Sequence, residues 1–353
     1  MVKNIIGAFL VSLLVSFLLM PLIIGLLKRK NLVDTPGRRK IHKEQVPSLG
    51  GIGIIGGLAA ALTIWLTFSG IIAYKYVLAG IGLLFIAGIR DDLIPISARV
   101  KLFVQILAAV IVVLSGVLIN SAYGLFGIEA LGITLKVFFT IGFIIFFTNS
   151  YNLIDGLDGL AGTVALIISA FFSAWFYFNE SYYLAIISVS MAGAIIGFLY
   201  YNWQPAKIFM GDTGALSIGF LFSVLSIFFL NENSLLTDEW YKYSAPVATL
   251  VSVLLIPLFD TIRIIIVRLV KKKSPFSPDK NHSHHVLMRL GMSHRNTALL
   301  LGGINILFIL LVSVFNDLGD NILLPIIISI CFILSVLIDQ LIIHRVRTKR
   351  GRV

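Results

Sequence analysis

The sequence predicts an all-α, polytopic integral membrane protein of about eleven transmembrane helices, and three observations carry that prediction. Hydrophobic residues make up 58% of the 353 and charged residues only 13%, against about 45–50% and about 25% in soluble domains. Ten uncharged stretches of at least 17 residues run through the chain, and a helix needs roughly 20 apolar residues to cross a hydrocarbon core. These stretches are continuously apolar rather than alternating, which argues against a transmembrane barrel. A disulfide-stapled domain is excluded because Cys331 has no second cysteine to pair with. The excess of apolar residues excludes disorder.

Taken in order, the stretches are 4–27, 45–74, 102–128, 137–154, 159–179, 181–206, 213–231, 243–259, 296–316 and 321–338. The first is too long for the apolar core of a cleavable signal, and the basic block Lys28–Lys30 follows it, so it reads as an anchor. The second carries Gly50, Gly51, Gly53, Gly56 and Gly57, the composition of a close helix-packing face. An eleventh run, 76–89, is shorter, but Lys75 can snorkel outward and lengthen it. The connecting loops are too short for a separate soluble module. One transmembrane domain, 1–353, is therefore expected, with functional loops at 28–47, 90–101, 149–160, 201–213 and 268–296.

An odd number of spans puts the termini on opposite sides of the membrane. Placing 28–47, 90–101, 150–160, 201–212, 263–296 and the tail from Arg345 in the cytoplasm collects 24 of the 28 Lys and Arg residues. Only Lys3, Lys75, Lys136 and Lys242 fall outside. The positive-inside rule then gives an outer N-terminus and a cytoplasmic C-terminus. Trp65, Trp175 and Trp240 fall at the outer boundary, where interfacial aromatics belong. The net charge of +11 is mostly this topology signal, with attraction to anionic lipid added. It does not point to nucleic acid.

The acids are scarcer and more telling. Asp91, Asp92, Asp155, Asp158 and Asp212 fall in three separate segments of the same inner face. Carboxylates brought that close repel one another unless a cation neutralises them. Asp91 and Asp92 lie between Arg90 and Pro95; such a pair can hold a metal, position a nucleophile or accept a proton, or it can be a solvated turn. In Asn149-Ser-Tyr-Asn152-Leu-Ile-Asp155-Gly156-Leu157-Asp158-Gly159, amides and carboxylates recur at three-residue intervals. On a helix that spacing makes one slowly drifting polar stripe, more than interhelical glue requires. Phe209-Met210-Gly211-Asp212-Thr213-Gly214 offers oxygen ligands and free backbone N–H groups, although an Asp N-cap reads the same way.

The segment after the ninth span holds Lys271–Lys273 and then His282-Ser283-His284-His285, next to Asp279 and Lys280. Three histidines in four residues suggest phosphate contacts or a metal, but no Cys is near and the spacing is not that of a closed zinc site. Arg38–Lys43 could add cations for a phosphate. Asp260 and Arg263 sit three residues apart within a span, as partners or as the floor of a site.

As an ordered set from Lys43 to His285, these segments resemble the polyprenyl-phosphate N-acetylhexosamine-1-phosphate transferases, which start bacterial cell-envelope glycans. The resemblance covers nearly the whole chain. It implies that Asp91 and Asp92 are the catalytic aspartate pair and that Asp212 is the Mg²⁺ ligand, with Asn152 as a second candidate and Mn²⁺ as a substitute metal. It implies that Phe209 stacks on uracil. Lys43, Asn149, Asn152, Asp155, Gly156, Leu157 and Asp158 would contact the nucleotide, and His282, His284 and His285 would form the histidine motif. The spaced His282-Ser283-His284-His285 pattern is similar to the branch using UDP-N-acetylglucosamine, whose products lead to teichoic acid, O-antigen or similar polymers. Three consecutive histidines would instead resemble the enzyme taking UDP-N-acetylmuramoyl-pentapeptide.

The implied reaction takes UDP-N-acetylglucosamine and undecaprenyl phosphate to undecaprenyl-diphospho-N-acetylglucosamine and UMP. It would run at the cytoplasmic face of the bacterial plasma membrane, in a chain embedded in membrane lipid and compatible with a homodimer. An ion-coupled transporter is the alternative of another class. Its carboxylates belong near mid-membrane on broken helices, whereas most of these acids sit at inner loop ends.

Overall fold

Among the described residues of the computed structural model there are fourteen α-helices, two short 3-10 turns and no β-strand. The structure describes residues 1–30, 32, 46–128, 130–272, 274 and 282–350, without the side chains of 73, 284, 339 and 341–350. The N-terminal half holds α1 (Val2–Arg29), α2 (Gly50–Trp65), α3 (Phe68–Ala73), α4 (Lys75–Leu93), α5 (Ala98–Leu114), α6 (Ile133–Leu153) and α7 (Leu160–Phe178). There follow α8 (Tyr182–Asn202), α9 (Gly211–Leu235), α10 (Pro246–Val253), α11 (Leu255–Val270), α12 (Ser283–Arg289), α13 (His294–Val314) and α14 (Asp320–Arg350).

Where α1 meets α8, small residues line the contact and large apolar ones face outward. On α1 the buried positions include Ala8, Ser12, Ser16 and Met20, while Leu10, Leu14, Leu18, Leu22 and Leu26 form an exposed stripe. Large apolar side chains face outward because lipid solvates them as well as a protein core does. Small residues face inward because close backbone approach maximises dispersion contact. Gly193 and Gly197 of α8 meet Ser12 and Ser16 of α1, and the Ser16 hydroxyl donates to Ala194 O at 2.8 Å. A Cβ on Gly197 would lie 2.8 Å from Leu13 O, so glycine is what lets α1 and α8 touch.

The central element is α9, buried along nearly its whole length and packed against α2, α4 and α6. It carries Phe220, Phe222 and Phe229, which with Phe147 of α6 and Phe172 of α7 are fully buried. Seven described helices are long and apolar enough to cross a membrane, or eight if α10 and α11 count as one bent span.

Each of the eleven predicted runs contains a helix, but three differ in detail. The 45–74 run splits into α2 and α3, because Thr67 caps the second helix by accepting from Gly70 N at 3.2 Å. In the 102–128 run the helix stops at Leu114, and the remainder is irregular apart from the turn Leu125–Gly127. The 243–259 run is not one helix: α10 and α11 meet at an 84° bend. Pro257 lies in the first turn of α11, where its missing N–H costs nothing, and Pro246 starts α10 in the same way.

Candidate active site

Four helix ends converge at one end of the bundle. They are the C-termini of α4 and α6 and the N-termini of α5 and α9. The first three N–H groups of a helix have no intrahelical acceptor and carry the positive end of its dipole. In α9 all three are taken by carboxylates from other segments. Gly211 N donates to Asp155 Oδ2 at 3.1 Å, Asp212 N to Asp92 Oδ1 at 2.9 Å, and Thr213 N to Asp92 Oδ2 at 3.0 Å. The Thr213 hydroxyl adds a third bond to Asp92, at 2.6 Å.

Gly211 makes this division possible. Its φ of +71° turns its N–H toward Asp155 while the next two face Asp92, and a Cβ there would strike Ser48 O and the Asp92 carboxylate. The chain before α2 clamps the same turn: Phe209 N donates to Pro47 O at 2.8 Å, Gly50 N to Phe209 O and Gly51 N to Met210 O, both at 2.9 Å.

Beside this cap, the Lys101 ammonium bridges two carboxylates. It lies 2.7 Å from Asp91 Oδ2 and also donates to Asp212 Oδ2. The other Asp91 oxygen accepts from Ile96 N at 2.7 Å. Residues 90–101 lie beyond the uncharged stretches of α4 and α5, and their electrostatics follow from this crowding. Burial pushes the Asp92 carboxyl up to about 6, although the hydrogen bonds from Thr213 and Asp212 pull it the other way. Burial would lower the Lys101 ammonium, but the bonds to Asp212 and Asp91 outweigh it and raise it. In the loop after α6, burial and then the Asp212 and Asp92 charges push the Asp155 carboxyl well above the usual carboxylate range.

Mg²⁺ takes one or two carboxylates and leaves its remaining positions to water and substrate phosphates. Asp212 and Asp91, already sharing one cationic group, fit that donor set. Among the described residues no three His, Cys, Asp or Glu side chains are grouped to hold a metal on their own. A site completed by substrate oxygens has no need of such a group. Asn152, the second expected ligand, sits half-buried in the last turn of α6.

The expected nucleotide contacts separate into two sets. Asp155, Gly156 and Phe209 are at least partly accessible. Asn149 instead exchanges amide hydrogen bonds with Gln105 of α5, at 2.7 and 3.2 Å, and donates to Ile145 O at 2.8 Å. Leu157 is buried in the apolar core. Asp158 is 1% exposed; it accepts from Ala206 N at 3.2 Å, and its other oxygen lies 3.3 Å from His294 Nδ1. Lys43 lies outside the described residues, as does the side chain of His284.

Of the histidine motif, His282 is buried, with Nδ1 2.7 Å from Asp260 Oδ2, and Ser283 N donates to Asp260 Oδ1 at 2.6 Å. Asp260 of α11 therefore anchors the start of α12, and the His285 ring lies 6.2 Å from that of His282. Arg263 donates from Nε to Ser335 Oγ of α14 at 2.7 Å.

Lys101, Thr213, Asn202 and His294 do structural or electrostatic work here that the motif reading did not assign. Asn202 accepts from Gly159 N at 2.9 Å and donates to Ile208 O at 2.8 Å, tying the start of α7 to the segment before α9. Lys101 left a signal: with Gln105 it makes the only polar pair at i,i+4 on an otherwise apolar α5 after Arg99, and that face meets Asp91, Asp212 and Asn149.

Comparison with known proteins agrees with this geometry. The sequence model for glycosyl transferase family 4 matches residues 74–230, which include Asp91, Asp92, Asp155, Phe209 and Asp212. The chain is 33% identical over 309 residues to a probable undecaprenyl-phosphate N-acetylglucosaminyl 1-phosphate transferase of Bacillus subtilis, covering 86% of this chain and 83% of the relative. It is 33% identical to the decaprenyl-phosphate N-acetylglucosaminephosphotransferase of Mycolicibacterium smegmatis, over 76% of this chain and 71% of the relative. It is 31% identical to the undecaprenyl-phosphate alpha-N-acetylglucosaminyl 1-phosphate transferase of Escherichia coli K12, over 78% and 74%. Similarity of this extent, running through the segments that build the carboxylate cluster, places the chain in glycosyl transferase family 4.

Proposed function

We propose that this protein transfers N-acetylglucosamine 1-phosphate from UDP-N-acetylglucosamine to undecaprenyl phosphate, releasing UMP, as the first membrane step of a cell-envelope glycan. The observation that carries this reading is the junction of α4, α5, α6 and α9, where Asp91 and Asp212 share the Lys101 ammonium beside the α9 N-terminus that Asp92 and Asp155 cap. A diphosphate donor and a phosphate acceptor need such a cation-binding pole. The relatives named for N-acetylglucosamine transfer support the choice of sugar.

In this reading the chain crosses the bacterial plasma membrane eleven times as one domain, with its N-terminus outside and the carboxylate cluster facing the cytoplasm. Seven helices supply spans outright, and α2, α4, α5 and the bent α10–α11 pair supply the rest. The water-soluble nucleotide arrives from the cytoplasm while the prenyl chain stays in the bilayer. An apolar cleft lined by Leu255, Phe259, Leu287, Leu301 and Phe308, with Asp260 and Ser283 at its polar end, suits the acceptor's tail. A homodimer is compatible with this arrangement.

Asp212 and Asp91 would hold Mg²⁺, which when bound neutralises phosphate charge in the transition state. The acceptor needs little activation, because a phosphomonoester ionises a second time near pH about 6 and is largely a dianion at neutral pH. One of its oxygens attacks the β-phosphorus in line, the bond from that phosphorus to the bridging oxygen breaks, and UMP leaves with the electron pair. Both oxygens of Asp92 are committed to the N-terminus of α9, so its part is to hold Asp212 in place rather than to remove a proton. The Lys101 ammonium, held between Asp91 and Asp212, adds positive charge beside the phosphates. Phe209, half-buried at the rim, receives the uracil ring, with Asp155 beside it.

The test is direct: purified protein, undecaprenyl phosphate and Mg²⁺ are offered UDP-N-acetylglucosamine or UDP-N-acetylmuramoyl-pentapeptide, and released UMP is measured. UMP from the first donor alone is the expected result. None from either removes the enzyme reading.

A further inference from the structure

We propose that Asn305 is a positioning residue for the acceptor: its amide holds the break between α10 and α11 against α13 and so fixes the apolar cleft that takes the prenyl chain. This rests on the placement of that chain in the cleft, given above. A helix running straight through Leu254 would pair Val253 O with the N–H of residue 257, which is proline and has none. The 84° bend instead starts α11 afresh at Leu255, and the last carbonyls of α10 must find donors elsewhere. Ser252 and Val253 are fully buried, so bulk water does not supply those donors, and a buried carbonyl without one is destabilising.

Asn305 of α13 provides them. Its Nδ2 carries two hydrogens and donates to Ser252 O at 2.7 Å and to Val253 O at 3.2 Å. The residue is itself fully buried, and its Oδ1 has no hydrogen-bond partner among the described residues. An amide with one buried end unpaired is a poor packing residue for an apolar core, so what it contributes here is the pair of donors. Leu301 and Phe308, at i−4 and i+3, lie on the same face of α13 and line the cleft, while Leu255 and Phe259 line it from the first turns of α11. The two hydrogen bonds therefore join two walls of the cleft at the point where one of them turns. The carboxylate cluster at the α9 N-terminus is built from other residues.

The experiment measures UMP release with acceptors of two lengths. Wild type uses undecaprenyl phosphate at least about tenfold more efficiently, by kcat/KM, than the short farnesyl phosphate, whose chain fills less of the cleft. Asn305→Leu keeps the volume but removes the donors. It raises KM for undecaprenyl phosphate about tenfold, while KM for UDP-N-acetylglucosamine and kcat/KM for farnesyl phosphate stay within about twofold. Asn305→Gln keeps the NH₂ group and stays within about threefold of wild type. A fall in kcat with both acceptors alike, or a lowered thermal midpoint with every KM unchanged, is the mark of a merely structural residue and overturns the proposal. If Asn305→Leu is not recovered folded, Asn305→Ser, whose hydroxyl serves one carbonyl at most, carries the same measurement. The wild-type arm keeps the readings apart. No UMP with either acceptor refutes the enzyme reading, and equal use of the two acceptors refutes the placement of the chain in the cleft, and this proposal with it. A length preference that survives intact in Asn305→Leu refutes the role of Asn305 alone.

Discussion

The two ends of the bundle handle buried acids in opposite ways. At the end away from the candidate site, Glu232 accepts from Asn179 Nδ2 and Ser181 Oγ, both at 2.6 Å. Asp320 caps α10, accepting from Val247 N at 3.2 Å and Ala248 N at 2.7 Å. Each carboxylate has its own neutral donors, and each fastens one loop or helix end. At the site end, Asp92 and Asp155 take the N–H groups that start α9, and beside them Asp91 and Asp212 share, among the described residues, the Lys101 ammonium. A fold needs only the first arrangement. The second leaves carboxylates repelling one another until a further cation arrives, and that unbalanced charge separates a reaction centre from a set of helix caps.

The contrast breaks first at Asp212. Asp212→Asn keeps the shape of the side chain and removes one charge of the cation-binding pair, so UMP release falls by about 10³-fold. A variant that elutes as folded protein and retains more than about a tenth of the activity would make the crowded end another capping device. Lys101→Met comes next. Without the ammonium, Asp91 and Asp212 repel across the gap, and turnover drops about 10²-fold. Unchanged turnover at saturating Mg²⁺ would show that the lysine serves only the resting protein.

A smaller effect is expected at the nucleotide rim. Base–aromatic stacking contributes about 1–3 kcal/mol. Phe209→Ala therefore raises KM for UDP-N-acetylglucosamine about tenfold with kcat nearly kept. An unchanged KM would place the uracil elsewhere.

Much of this molecule is legible in one sequence because the membrane makes charge rare. Every predicted run contains a helix, since lipid-facing and protein-facing residues are both apolar and the pattern survives whichever way a helix is turned. What is lost for the same reason is where helices break. The bend at Leu254 lies inside an unbroken apolar run, and Pro257 is its sole local mark. The aspartates of the site stood out as acids gathered in short segments. That Asp92 serves the N-terminus of α9 did not, because the two meet only through packing that lets Gly88 of α4 lie against Thr213. Regular three-residue spacing likewise made Asn149 and Asp158 look alike with Asp155. In space one is paired with Gln105, one is enclosed with His294, and only the third reaches the cap of α9. The expected helical stripe stops at Asn152: α6 ends at Leu153, and Asp155 and Asp158 lie in the turn before α7, where successive residues face different neighbours.

The least effect on catalysis, and therefore the sharpest control on the comparison, belongs to the far end. Asp320→Ala removes both bonds to the first turn of α10, a loss of about 1 kcal/mol typical of a helix cap. In a chain this large that lowers the thermal midpoint by only about 2–4 °C. UMP release should stay within about twofold of wild type, because no carboxylate there is short of a partner. The α10–α11 bend makes this a demanding case, since α11 carries Asp260 and thus the anchor of His282. If Asp320→Ala lowers activity as far as Phe209→Ala does, the bend transmits strain from one end to the other, and the two ends are one cooperative unit. A midpoint shift without loss of turnover leaves Asp320 a helix cap and confines the chemistry to the N-terminus of α9.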